Sequence, residues 1–169
     1  MQKISVIVSI LLVLLFNSTV FGQEDSRITE LVQQSQQYES SGDMVRAAEV
    51  LNKLGYSYWE NNMYEKAIDA FSHSIVLNQK IENKNAIMNL YTNIGMVYTD
   101  LNQIETALLY FRKSLMIRRE FGDKQLIVTG LLNMATPLQK LERYDESIKM
   151  VDEALEFSKL LNEIRLMKR

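Results

Sequence analysis

The chain has 169 residues, 47% of them hydrophobic and 24% charged, with a formal net charge of −2, one Pro and no Cys. That length suits one domain, and so small a charge gives no electrostatic drive toward nucleic acid, which is not expected as a partner. The lack of Cys excludes disulfides and thiolate chemistry, and a single histidine, His73, excludes a histidine metal cluster, so no metal or cofactor is expected.

Residues 1–22 have the three-part layout of a secretory signal peptide. Lys3 is followed by an apolar run from Ile4 to Phe16, broken only by Ser5 and Ser9. Asn17 to Thr19 then turns polar, and Val20-Phe21-Gly22 precedes Gln23-Glu24-Asp25. A spanning helix needs about 20 apolar residues, so cleavage after Gly22 is expected in preference to a retained anchor. Such a leader implies an exported, periplasmic or extracellular protein, whose contact with a membrane is limited to this segment before cleavage. The mature part, residues 23–169, lacks cysteine and is indifferent to the redox conditions outside the cytoplasm.

Behind a polar patch, residues 27–40 read as a helix with Ile28, Leu31, Val32 and Tyr38 as its apolar members. Further helices are predicted over 44–60, 64–80, 86–101, 104–121, 125–140 and 144–165. The turns between them fall at Gly42-Asp43, Asn61-Asn62, Asn83-Lys84-Asn85, Asn102, Gly122-Asp123 and Glu142-Arg143. Three stretches, Tyr64–Phe71, Ile104–Phe111 and Tyr144–Val151, begin 40 residues apart, and Gly55, Gly95 and Ala135 keep the same step, as do Tyr58, Tyr98 and Leu138. A fixed period of this length predicts a stacked array of helical hairpins, with small side chains where two helices approach closely.

Within this register, residues 48–87 carry Leu51, Leu54-Gly55, Tyr58, Ala67, Phe71 and Ser74. Residues 88–127 carry Tyr91, Ile94-Gly95, Tyr98, Ala107, Phe111 and Ser114. Residues 128–167 carry a looser set: Leu131, Met134-Ala135, Leu138, Ser147, Val151 and Ala154. This spacing resembles the tetratricopeptide repeat pattern W-x2-L-G-x2-Y followed by A-x3-F. The longer period is similar to the repeats of kinesin light chains and Rap-type regulators. The resemblance implies an all-α fold, a right-handed solenoid of about three repeats over 48–169. It would be preceded by a polar segment and capping helix over 23–47.

In the resembled family the first helix of each repeat lines a concave groove that holds a protein or peptide. By position, that implies Glu49, Asn52, Lys53, Tyr56 and Glu60 from the first repeat and Asn89, Thr92, Asn93, Met96 and Asp100 from the second. The third supplies Thr129, Leu132, Asn133, Thr136 and Lys140. Of these, Lys53, Tyr56, Asn89, Asn93, Met96, Asp100, Asn133, Thr136 and Lys140 form the expected peptide-binding set. Asn93 and Asn133 stand at equivalent positions, where a carboxamide offers both donor and acceptor to a peptide main chain. Trp59 is expected to pack. Pro137, inside a helix, removes the N–H that would bond the carbonyl of Asn133; a kink tolerated near the helix end is the expectation there, and a kink that opens the third rung of the groove is the alternative.

No catalytic residues are expected. His73 has no Ser or Asp arrangement around it, and Glu65, Glu105 and Asp145 recur where they favour a helix N-terminus. Arg112, Lys113, Arg118 and Arg119 read as one solvated outer face. Leu160, Leu161, Ile164 and Leu166 leave the last helix apolar, which allows a homodimer through that end. The functional expectation is a non-catalytic scaffold or adaptor. The alternative is an exported sensing module, or a piece of one, from a signalling system of the sensor histidine kinase type.

Overall fold

A computed structural model describes residues 26–167, so the leader expected over residues 1–22 lies outside the described residues. Seven helices are present among the described residues and the chain is all-α: α1 (residues 26–40), α2 (Met44–Glu60), α3 (Tyr64–Lys80), α4 (Lys84–Asp100), α5 (Ile104–Phe121), α6 (Lys124–Lys140) and α7 (Tyr144–Met167). None of the described helices is long and apolar enough to cross a membrane.

The repeat is written into the turns. A residue with positive φ recurs every twentieth position, at Gly42, Asn62, Glu82, Asn102, Gly122 and Glu142, with φ between 55° and 76°. At five of these six turns the next N–H bonds the carbonyl five residues back, as from Met63 to Tyr58 at 2.9 Å and from Gln103 to Tyr98 at 2.8 Å. This is the Schellman closure, which satisfies carbonyls that the helix end leaves free. Turns between hairpins carry a side-chain cap as well: Asp43 accepts from the Arg46 N–H, Asn83 from Ala86, and Asp123 from Gln125 and Leu126. The cap at Asn83 corrects the expected break at 83–85. Asn83 is the N-cap, and Lys84 and Asn85 already form the first turn of α4. The helix α7 also runs two residues past its expected end, to Met167.

Each hairpin pairs a first helix (α2, α4, α6) with a second (α3, α5, α7), and α1 precedes them. The core follows the chain as three linked clusters. Leu31, Leu51 and Leu54 mark the first, Phe71, Leu90 and Ile94 the second, and Phe111, Leu131 and Leu138 the third. At the hairpin contacts Gly55 and Gly95 lie directly against aromatic rings. A Cβ at Gly55 would stand 2.5 Å from Phe71 Cε1, and one at Gly95 would stand 2.7 Å from Phe111 Cε1. The third hairpin has Ala135 and Val151 at these positions, a larger residue facing a smaller one. Buried hydroxyls then tie the hairpins: Ser74 Oγ donates to the Ala48 carbonyl at 2.7 Å, and Ser114 Oγ donates to the equivalent Met88 carbonyl at 2.8 Å.

The helix α6 continues through the buried Pro137 to Lys140. His73 is exposed, with Nε2 3.3 Å from Glu39. The last helix is open on one side. Leu115 in α5 is 6% exposed beneath α6, whereas Leu155, its counterpart in α7, is 52% exposed, and Ile148 stands 56% exposed where Leu108 is 3% exposed.

Candidate functional site

The first helices of the hairpins present their polar residues to one shared face. Between α2 and α4 that face holds a depression of about 350 Å³, floored by Ser74 and Asn78 of α3 and walled by Glu49, Asn52 and Tyr56 on one side and Asn89, Thr92 and Asn93 on the other. Six of the fifteen groove positions expected by register therefore line one cavity. Asn89 is exposed there, and Asn52 Oδ1 is buried without a hydrogen-bond partner. A buried acceptor left unpaired costs about 1–3 kcal/mol, which a donor entering the cavity would relieve.

Two contacts span the groove from α2 to α4. Tyr56 Oη donates to Asn93 Oδ1 at 3.0 Å, and Trp59 Nε1 donates to Asp100 Oδ2 at 2.7 Å. The Tyr56 and Trp59 rings are stacked 6.1 Å apart, and Tyr56 meets Phe71 edge-on at 5.4 Å. Trp59 thus packs and also bridges.

The two equivalent asparagines differ. Asn93 is 7% exposed and its carbonyl is taken by Tyr56. Asn133 is half-buried and makes no side-chain hydrogen bond among the described residues. The cause is one substitution in register, since Met96 stands where Tyr56 stands one repeat earlier and a thioether donates no proton. Met96, 45% exposed, is apolar surface beside that open amide. Lys53, Thr136 and Lys140 are exposed on the same face without side-chain partners.

Arg118 corrects the expected solvated basic face. Arg112, Lys113 and Arg119 are exposed, and Arg119 pairs with Glu153 at 2.7 Å, but Arg118 is 4% exposed. Its Nε donates to Ser114 Oγ at 3.2 Å, Nη1 to the Leu126 carbonyl at 3.1 Å and Nη2 to Thr92 Oγ1 at 3.2 Å. Burial pushes the guanidinium down from its ordinary value, and its partners are all uncharged. Room for it comes from Gly130, where a Cβ would stand 2.7 Å from Arg118 Cδ.

The Tetratricopeptide repeat family model matches residues 46–120. An uncharacterized protein, ycf37, from Guillardia theta is 33% identical over 64 residues, which are 38% of this chain and 35% of that protein. The chain therefore spans about a third of the length of this curated relative. Among solved structures, BtubC (BKLC) from P. vanneervenii superposes with a TM-score of 0.73 at 16% identity, over 83% of this chain and 59% of that one. A Rap protein complexed with competence and sporulation factor superposes with a TM-score of 0.68 at 17% identity, over 78% of this chain and 37% of that one. These likenesses concern the fold. The repeat register, the turns and the hairpin contacts agree with them: the described residues form a tetratricopeptide-like, all-α solenoid of helical hairpins.

Proposed function

We propose that the protein is a non-catalytic scaffold, exported by the leader at residues 1–22, that holds an extended peptide of a protein partner in the groove along α2, α4 and α6. The observation that carries this reading is Asn52 Oδ1, a buried acceptor without a partner in the wall of an open cavity. A peptide main chain supplies N–H donors at regular spacing whatever its sequence, and Asn89 and Asn133 are free to meet further main-chain groups. The Rap protein complexed with competence and sporulation factor has the same fold and supports the reading to that extent.

The test is a crosslinking capture from an extracytoplasmic extract with the full chain as bait, beside an Asn89→Ala/Asn133→Ala variant of equal helicity. Intact mass is measured on the recovered bait. The expected result is a partner held at least tenfold less by the variant, on a bait beginning at Gln23. A partner retained equally by both would remove the groove, and a bait still carrying residues 1–22 would remove the cleaved leader.

Self-association through the uncovered face of α7 belongs to the same reading. Leu155 and Ile148 there occupy positions that α6 buries on α5. Sedimentation is expected to show a dimer that Leu155→Glu converts to monomer, and a monomeric wild type at tens of micromolar would rule this contact out.

A further inference from the structure

We infer that Arg118 is a receptor for a carboxylate of the bound partner, so that the groove selects acidic peptides. This rests on the groove reading above and adds a chemical preference to it. A guanidinium stays protonated, and taking one out of water is unfavourable unless an anion faces it. Arg118 is 4% exposed, yet no carboxylate lies within ion-pair distance of it among the described residues, and three of its five N–H donors go to neutral oxygens. Arg27, Arg46, Arg119 and Arg143 all have acidic partners, and all of them are far more exposed.

Its position links it to the groove. Arg118 stands 40 residues after Asn78, which floors the cavity between α2 and α4, and Thr92, which Arg118 bonds, is part of that cavity's wall. Thr92 Oγ1 has other partners, the Met88 carbonyl at 3.2 Å and Ser114 Oγ at 2.8 Å. A carboxylate arriving beside α4 would replace Thr92 as the acceptor at Nη2. It would also engage one of the two unused N–H groups, giving the two-point geometry that guanidinium and carboxylate favour. The carboxylate Glu49 belongs to the α2 wall, so the acidic group of the ligand is placed at the α4 side.

The test offers the purified full chain three pools of random twelve-residue peptides. Two have both ends blocked, with a fixed central Asp or Asn, and the third has the central Asn and a free C-terminal carboxylate. Retained peptides are counted by mass spectrometry. The expected result is at least tenfold preference for the Asp pool over the Asn pool, lost in Arg118→Gln with helicity unchanged. Preference for the free-end pool, equally lost in Arg118→Gln, supports the same site with the carboxylate drawn from a chain terminus. Equal retention of all pools overturns the inference and leaves the groove standing, as an Asn89→Ala/Asn133→Ala control that loses all of them would verify. A preference that survives in folded Arg118→Gln overturns it too, and retention of no pool overturns both. Should Arg118→Gln fail to fold, Arg118→Lys replaces it: a reduced preference for Asp supports the fork, and an undiminished one overturns it.

Discussion

Gly55→Ala is expected to destabilise the protein by about 2 kcal/mol, although alanine is the better helix former by about 1 kcal/mol. The new methyl would stand 2.5, 2.6 and 2.9 Å from three atoms of the Phe71 ring, all below any real contact distance. Phe71 is fully buried and meets the Tyr56 ring edge-on at 5.4 Å, so the ring is closely packed and yields only by disturbing its neighbours. Overpacking of this kind costs about 1–3 kcal/mol. The third hairpin indicates the remedy, because Ala135 and Val151 occupy the same two positions. Phe71→Val alone opens a void and costs about 2 kcal/mol or more. In Gly55→Ala/Phe71→Val the methyl enters that void, and the double variant is expected to be more stable than the sum of the single losses by at least 1 kcal/mol. Urea denaturation of the four proteins measures this coupling. Simple additivity would mean that the two residues do not share space.

That contact was legible in outline. The 40-residue step between Gly55 and Gly95, matched by Phe71 and Phe111, placed the small and large residues, and the boundaries of α2, α3 and α5 followed from the same register. The start of α4 was not legible. In the run Asn83-Lys84-Asn85 either asparagine can cap a helix, and the choice is made by the αL residue Glu82, a poor residue for that conformation placed there by the twenty-residue rhythm of the turns. Within the groove, register located Asn93 and Asn133 but not their difference, which depends on a hydroxyl donated across 37 residues by Tyr56. Arg118 was misread for a similar reason. A run of basic residues ordinarily means solvent, and only Gly130, on the next helix, reveals that one of them turns inward.

The Arg118–Gly130 pair is itself an exchange of volumes between repeats, and reversing it should have the second large effect. Forty residues earlier the pair is Asn78 and Leu90, both buried, with Asn78 Nδ2 donating to the Ser74 carbonyl at 2.8 Å. Gly130→Ala is expected to cost about 1 kcal/mol, because its methyl would stand 2.7 Å from Arg118 Cδ and 2.9 Å from Leu115 Cδ1, both in buried side chains and the first tied by three hydrogen bonds, and the gain in helix propensity offsets only part of the crowding. Gly130→Leu claims the volume of the arginine stem. It expels a side chain that makes three hydrogen bonds, and the cost is expected to reach about 3 kcal/mol. Arg118→Asn leaves that volume empty and withdraws donors from Thr92 and Leu126, at about 2 kcal/mol. Gly130→Leu/Arg118→Asn rebuilds the pair of the preceding repeat and is expected to recover most of both losses. Chemical denaturation reads the recovery, and additive losses would refute the exchange. The same double variant separates packing from recognition: if the arginine serves only as filler, the restored protein selects peptides as the wild type does. If it serves as a carboxylate receptor, the restored protein is stable and no longer distinguishes Asp from Asn.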